Sequence, residues 1–275
     1  MNIKLFRRFA IFTLLLMVIG YSTQWAYAQG GDNPIEDGIR RTESKPPVIL
    51  VHNPETDNTK IPSLTQWNEL DAASSTFVIE YVPNGGTDYW GDPCVTFPED
   101  AKTAFRAAAD IWEHVIHSSV PITINACWAN IADPNTLGYS VSGGGRANFS
   151  GAPQTGVFYG LALANSFAGS DLDPEDADMY ITYNQNFNWY YGTDANPDWD
   201  EMDLVTVATH EIAHGLDFAG SGRNESGTWK VGLWGYPDIY DTFIETGAGT
   251  KITTYMGQSD TLGVVLQSDD LWWLF

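Results

Sequence analysis

The apolar pattern of residues 76–127 changes its period twice, and this change constrains the fold more than any other feature of the chain. Apolar and polar residues alternate over 77–82, which is typical of a half-buried strand. From Pro98 to about Ser118, apolar residues recur at steps of three and four and predict an amphipathic helix. Alternation then returns over 122–127. This strand–helix–strand order predicts an α+β fold.

The composition is that of a folded chain with an acidic surface. Of the 275 residues, 43% are hydrophobic and only 17% are charged, which excludes disorder throughout, and a collagen or a coiled coil is excluded as well. The net charge of −22 repels phosphate groups and anionic lipids. We therefore expect no nucleic-acid partner.

Residues 1–28 have the three parts of a signal peptide. A basic start precedes an apolar run over 9–19, and the small-x-small pattern Ala26-Tyr27-Ala28 supplies a cleavage site. The apolar run is shorter than the roughly 20 residues of a membrane-anchoring helix. We expect cleavage after Ala28, no membrane anchor after that cleavage, and a secreted or periplasmic protein.

Residues 29–72 are typical of an extended leader or prosegment, because Pro, Asn, Asp, Glu and Thr dominate them. Arg40-Arg41 within this leader is either a processing site or a pair of surface charges. The folded domain is predicted over 73–275. Its glycine-rich stretch 138–156 contains no Gly-Lys-Ser/Thr motif, so a loop or hairpin is expected there and a phosphate site is not.

Cys94 and Cys127 are the two cysteines of the chain. In an exported protein, an even pair without Cys-x-x-Cys spacing favours a disulfide over a metal clamp or a nucleophile. Two separately buried thiols are the alternative. The disulfide would join the loop before the predicted helix to the end of the second predicted strand.

A second predicted helix, from about residue 202 to 216, carries the strongest functional motif, His210-Glu211-Ile212-Ala213-His214. Residues four apart share one helix face, so both imidazoles can bind one zinc ion. Glu211 lies beside the first ligand and can act as a catalytic base toward water held at the ion. The alternative is an ordinary helix with two incidental histidines, which the joint spacing of the three residues disfavours.

The motif resembles the active-site helix of the zincin metallopeptidases, and residues 207–218 are similar to the helix of secreted bacterial metallopeptidase-like proteins and of leishmanolysin-type metzincins. The resemblance covers this helix and, more loosely, the preceding order of elements. It implies that His210 and His214 hold zinc and that Glu211 is the base. It also implies a zincin-like, mixed twisted sheet with an antiparallel edge strand, packed on an active-site helix and a backing helix. A peptide substrate would pair with the strand before the helix, residues 179–184.

The third zinc ligand is the point at which the sequence departs from these families. A compact metzincin has Gly three residues after the second His and His or Asp three beyond it, whereas this chain has Asp217 and Gly220, and no His follows His214. Asp217 lies about 10 Å along the helix from His210, too far to share an ion held between the two histidines unless the helix breaks at Gly215, so a role beside the ligands is favoured. Carboxylates that could return to the site, each otherwise a surface or turn residue, are Asp238, Asp241, Glu245 and Glu225. A C-terminally shortened domain without a third ligand is the remaining alternative.

An acidic segment between residues 171 and 178 is a candidate calcium site. Its carboxylates are close enough in sequence to bind Ca²⁺, but the segment lacks the turn glycine of an EF-hand loop. A solvated acidic loop is therefore favoured. The acidic residues are Asp171, Asp173, Glu175, Asp176 and Asp178.

We expect an exported zinc endopeptidase that hydrolyses a peptide or protein substrate through a metal-activated water. The alternative is a non-catalytic exported binding or adhesion module on a zincin scaffold, which the missing third ligand and the many aromatic residues near the C-terminus favour. A hydrolase of a non-peptide bond is a third hypothesis, because the motif activates water without naming the bond.

Overall fold

The computed structural model describes residues 39–41, 48–51 and 74–273, with 48–51 described by their backbone. The predicted signal peptide and most of the predicted leader lie outside these residues. Within them the chain is a mixed α+β protein with four α-helices and fifteen strands. No helix in the described part of the chain is both long and apolar enough to cross a bilayer.

The elements of the described residues have the following bounds. The α-helices are α1 (Glu99–Glu113), α2 (Leu161–Ala168), α3 (Leu204–Gly215) and α4 (Ser259–Leu266). The strands up to the glycine-rich stretch are β1 (Ile39–Arg41), β2 (Val48–Val51), β3 (Phe77–Tyr81), β4 (Cys94–Val95), β5 (Ile122–Ala129), β6 (Thr136–Ser142), β7 (Gly145–Ala147) and β8 (Phe158–Gly160). The later strands are β9 (Met179–Asn184), β10 (Trp189–Tyr190), β11 (Met202–Asp203), β12 (Arg223–Glu225), β13 (Thr228–Lys230), β14 (Ile244–Thr246) and β15 (Leu271–Trp273).

The main sheet contains β2, β6, β9, β5 and β3 side by side in that order, and β4 pairs with the end of β5. β3, β5 and β9 are parallel to one another, whereas β6 is antiparallel to β9 and β2 is antiparallel to β6. The sheet is therefore mixed, as predicted. Its parallel pair β3 and β5 follows from the helix α1 that connects them, since parallel neighbours need a crossover connection.

The predicted strand at 179–184 is confirmed as β9, but its predicted role as a free edge is wrong. β5 pairs along one side of it, and β6 pairs along the other from Ser142 to Gly138. β6 comes from the glycine-rich stretch that was expected to be a loop or hairpin. A Cβ on Gly138 would lie 2.8 Å from the Thr182 carbonyl oxygen, so the glycine allows this close approach of the backbones. On this side of β9 the sheet continues through β6 to β2, which is its outermost described strand.

α1 and α3 pack against each other, and α3 lies on β6 and β9. α1 is amphipathic, and its apolar face places Phe105 and Trp112 in the main core. The Trp112 indole N–H donates to the Thr209 carbonyl oxygen at 3.0 Å. This buried hydrogen bond ties α1 to the residue that precedes the histidine motif.

α1 is shorter than the sequence predicts. It begins at Glu99 after Pro98, as expected, but ends at Glu113 and not near Ser118. The Ser118 N–H donates to the Ser74 carbonyl oxygen at 3.1 Å, so a contact with the chain entering β3 replaces the helical hydrogen bond. A tertiary contact that the local periodicity does not contain therefore sets the end of this helix.

Two segments of the predicted leader pair with the folded body. β1 pairs antiparallel with β7 in a three-stranded sheet of order β1-β7-β8, and β2 pairs antiparallel with β6. Both are extended, as predicted, yet Arg41 is buried, so the expectation of a surface charge there is wrong. Its guanidinium forms an ion pair with Asp238 at 2.5 Å. This ion pair compensates the free-energy cost of removing the arginine charge from water.

The predicted disulfide between Cys94 and Cys127 is confirmed. It joins β4 to β5 across a sequence separation of 33, and both cysteines are buried. Because Cys94 lies just before α1, the bond fastens the entry of this helix to the main sheet.

The C-terminal part of the described chain has a small core of its own. β15 pairs antiparallel with β14, so the apolar residues Leu271–Trp273 lie in a sheet. The Trp273 ring packs against Phe218, with ring centroids 5.0 Å apart, and so connects this core to the residues that follow α3. The buried residues of the core are Val231, Ile244, Ile252 and Leu262.

Candidate metal centre

The predicted motif helix is confirmed as α3, which begins at Leu204 and ends at Gly215. Leu204, Ala208 and Ile212 recur every four residues and are 0% exposed, so this stripe holds the helix against the core. The motif residues are buried along with them. α3 is therefore fixed by packing before any ligand is considered.

The structure brings His210 and His214 together, as their spacing predicts. Their Nε2 atoms are 2.8 Å apart, and their ring planes meet at 88°. Zinc–nitrogen bonds of about 2.0–2.1 Å in a tetrahedral site would place two such atoms about 3.3 Å apart. The two Nε2 atoms would therefore have to move apart by about half an ångström to bind one zinc ion, and small rotations of the rings are enough for this.

The second ring nitrogen of His214 is also engaged. His214 Nδ1 lies 2.9 Å from the carbonyl oxygen of Phe218. Because a carbonyl oxygen only accepts, Nδ1 carries the proton, and Nε2 of the neutral ring presents a lone pair toward His210. Burial, and second the neighbouring His214, lower the pKa of His210 well below its usual value. Neutral imidazole is the form that binds zinc.

Glu211 is 0% exposed, and neither of its carboxylate oxygens has a hydrogen-bond partner among the described residues. Burial raises the pKa of Glu211 well above its usual value. The fully buried Tyr183 hydroxyl on β9 has no hydrogen-bond partner in the described part of the chain either. Burial and, second, the charge of Glu211 raise the pKa of Tyr183, which places the two groups near each other. Orphaned buried oxygens of this kind are explained by a water or an ion that satisfies them.

Tyr183 is a site residue that the sequence analysis missed. The alternation of β9 places it on a buried face of the strand, but periodicity alone does not show that this face meets the motif helix. That proximity depends on how α3 lies across the sheet.

No group of three or more His, Cys, Asp or Glu side chains is arranged to hold a metal ion within the described ranges. Helix α3 ends at Gly215, and Asp217 takes a left-handed backbone conformation with φ of 73°. Its carboxylate accepts the Gly160 N–H at 2.9 Å. The helix therefore ends before Asp217, and the Asp217 carboxylate contacts β8, so its role next to the ligands stays a prediction.

The other third-ligand candidates lie in two different environments. Asp238 and Asp241 are 0% exposed, so the expectation of surface residues is wrong for them, but they lie in a turn in which the Asp241 N–H donates to the Asp238 carbonyl oxygen at 3.0 Å. Asp241 accepts the Ser221 N–H at 2.9 Å, and Asp238 is paired with Arg41. Glu225 instead pairs with Arg223 and Lys230, and Glu245 lies half-buried in β14.

The acidic segment around residue 175 is only partly solvated. Asp173 is buried and pairs with Arg40 at 2.8 Å and Arg146 at 3.0 Å. Asp178 is buried as well and accepts the Thr123 N–H at 2.7 Å. The solvated-loop interpretation is therefore wrong for these two carboxylates, because protein donors and cations already engage them.

A family model described as SPBPB7E8-like matches residues 90–231. The match covers slightly more than half of the 275 residues and includes α1, the central strands of the main sheet and α3. No curated protein matches the chain significantly, and neither does any solved structure.

Proposed function

The chain belongs to the SPBPB7E8-like family, and we propose that it is an exported zinc-dependent endopeptidase with a zincin-like fold. The observation that carries the proposal is the placement of three side chains on one turn of α3. The Nε2 atoms of His210 and His214 converge to 2.8 Å, and Glu211 between them has two buried oxygens without partners in the described residues.

The fold supports the zincin-like part of the proposal. The motif helix α3 follows β9 and packs against β6, which is antiparallel to β9. α1 lies beside α3 as a backing helix. The mixed sheet and the two packed helices agree with what the resemblance of residues 207–218 implies, but the antiparallel strand beside the site, β6, is covered by β2 and is not the implied edge strand.

The residues fit a zinc ion held by two imidazoles, with Glu211 as the adjacent base. When bound, zinc would supply a Lewis acid that polarises water and the peptide carbonyl group. Glu211 would accept the proton of the attacking water on a carboxylate oxygen and return it to the leaving amine nitrogen. The Phe218 carbonyl oxygen would keep the proton of His214 on Nδ1, so that the lone pair on Nε2 is the one that would bind the ion.

Metal analysis and proteolysis of three variants test this proposal. The purified exported chain should hold about one equivalent of zinc and cleave an unstructured protein. His214→Ala should lose both properties, whereas Glu211→Gln should keep the zinc and lose about 10²–10⁴-fold in cleavage rate. His114→Ala is the matched control, because the His114 Nδ1 contacts the Asp110 carbonyl oxygen of its own helix. A chain without zinc, or cleavage that survives Glu211→Gln, would refute the proposal.

A non-catalytic binding module on the same scaffold is the second candidate function. It is favoured by the lack of a third metal-ligating side chain in the described part of the chain. This candidate predicts weakly held metal and no turnover with any metal. Chelator-sensitive proteolysis by the wild type and none by His214→Ala would eliminate it.

A further inference from the structure

Two leader segments, β1 and β2, pair with the consecutive body strands β7 and β6, which belong to two different sheets. β1 pairs with β7 from Ile39 opposite Ala147 to Arg41 opposite Gly145, and β2 pairs antiparallel with the preceding strand β6. Each leader strand is therefore antiparallel to its partner in the body. Because α3 packs against β6, the strand that β2 covers borders the candidate metal centre. An extended peptide that adds a strand to a sheet edge is a common mode of peptide recognition.

The side chain of Arg41 enters a pocket of the body at this edge. Arg41 is 3% exposed, and its Nη1 donates to the Asp238 carboxylate at 2.5 Å. Its guanidinium carbon lies 5.2 Å from the centroid of the Phe158 ring, in cation–π range. Burial opposes the charge of Arg41, but Asp238, Asp217 and Asp241 outweigh it and raise the pKa of the guanidinium. We call these three carboxylates and Phe158 the guanidinium pocket.

The walls of the guanidinium pocket leave room for a long side chain. Gly145 lies opposite Arg41, and a Cβ there would meet Nη2 at 3.0 Å. A Cβ on Gly160 would lie 2.7 Å from the Cβ of Asp217. The carboxylates belong to the body and the cation belongs to the leader, so the pocket and its occupant come from different parts of the chain.

The guanidinium pocket begins where the motif helix ends. The Asp217 N–H donates to the carbonyl oxygen of His214 at 3.0 Å. Asp217 therefore forms a backbone hydrogen bond with the second candidate zinc ligand, and its charge also acts on Arg41. A peptide strand held on β7 with its side chain in this pocket would pass beside the candidate metal centre.

We propose that the guanidinium pocket is a subsite for an arginine side chain of a peptide strand that pairs with β7, and that leader residue Arg41 occupies it in cis. The proposal rests on the proposed function in identifying that peptide as the substrate. Arginine fits better than lysine, because its planar guanidinium can donate to carboxylates and stack on Phe158 at the same time. The leader then occupies the side of β7 on which a substrate strand would pair, until the leader is displaced.

Vacating the pocket in the full exported chain tests the proposal without an activity assay. Arg41→Ala should lower the thermal midpoint, and N-acetyl-arginine amide should raise it again, because the free ligand can fill the vacated pocket. N-acetyl-citrulline amide, which has nearly the same shape but no charge, should not. The wild type should respond to neither ligand. Equal responses of Arg41→Ala to the two ligands, or no response to either, would overturn the proposal.

Two further variants control this measurement. Arg40→Ala removes the neighbouring arginine, which pairs with Asp173 and Asp176 outside the pocket, and should give no arginine-specific shift. Asp238→Asn combined with Arg41→Ala should bind N-acetyl-arginine amide at least about 30-fold more weakly than Arg41→Ala alone. If Arg41→Ala does not fold, Arg41→Gln keeps most of the side-chain volume without the charge and is measured with the same two ligands.

Cleavage of paired peptides separates this proposal from the proposed function. Arg41→Ala should cleave an arginine-containing peptide at least about tenfold faster than its citrulline counterpart. Cleavage of both peptides at one rate would overturn the subsite and leave the peptidase intact. Arginine-specific binding without any cleavage would support the subsite and reject the peptidase.

Discussion

Removing the disulfide between Cys94 and Cys127 should cost a large part of the stability of the domain. The bond closes a loop with a sequence separation of 33, and the chain-entropy relation for such a loop gives about 3.7 kcal/mol at 25 °C. Typical domains unfold with only about 5–15 kcal/mol, so the loss is a substantial fraction of the total. The bond also fixes the entry of α1, and α1 supports α3 through Trp112.

Urea denaturation followed by circular dichroism measures this cost. The Cys94→Ala, Cys127→Ala double variant should unfold with a free energy roughly 3–4 kcal/mol below that of the oxidised wild type. The reduced wild type should behave like the variant, and the variant itself should be insensitive to reductant, which makes it the internal control. A difference below about 1 kcal/mol between oxidised and reduced wild type would refute the loop-entropy reasoning for this bond.

Three further substitutions test the packing and the charge around the site. A Cβ on Gly215 would lie 2.4 Å from the Met179 sulfur, so Gly215→Ala should lower the free energy of unfolding in urea by about 1–3 kcal/mol, and an unchanged midpoint would contradict this packing. Phe105→Ala, at a side chain with 0% exposure, should cost about 3–5 kcal/mol in the same titration, and a cost below about 1 kcal/mol would show that the site is not close-packed. Burial raises the pKa of Glu211, so the metal-free folded state keeps a proton that the unfolded state loses, and stability falls as pH rises from the usual value of 4.5 toward the folded pKa. Glu211→Gln removes this dependence, so the free energy of unfolding of the variant should rise relative to that of the wild type between about pH 5 and about pH 8, by up to about 1.4 kcal/mol per pH unit. If the variant and the wild type differ in free energy of unfolding by the same amount at both pH values, Glu211 is not a buried carboxyl with a raised pKa.

Local periodicity was sufficient to predict the helices and strands whose own residues follow a regular hydrophobic pattern. The alternation at 77–82 and 179–184 corresponds to β3 and β9, and the helical spacing of the motif segment corresponds to α3. β6 and β7 could not be found in this way, because their glycines have low strand propensity and one partner of each strand, β2 or β1, lies far away in the sequence. Pairing between such distant segments leaves no trace in a local window of sequence.

In the candidate site as well, features set by local geometry could be predicted from the sequence and features set by tertiary contacts could not. The convergence of His210 and His214 follows from helix geometry and needs no tertiary information. The burial of Asp238 could not be predicted, because the cation that compensates it, Arg41, lies 197 positions away in the sequence. The link between Tyr183 and Glu211 likewise depends on how a helix crosses a sheet. Ligand spacing was therefore predictable, whereas the electrostatic surroundings of the ligands were not.

The contact between Phe218 and Trp273 extends the influence of the last described strand to the motif histidines. The Phe218 carbonyl oxygen holds Nδ1 of His214, and the Phe218 ring is braced by Trp273. A substitution of Trp273 would leave the motif intact but remove the ring contact that holds Phe218. The His214 imidazole could then rotate away from His210. Under the proposed function, the Trp273 ring would therefore influence the affinity for zinc through Phe218, although Trp273 is not one of the proposed ligands.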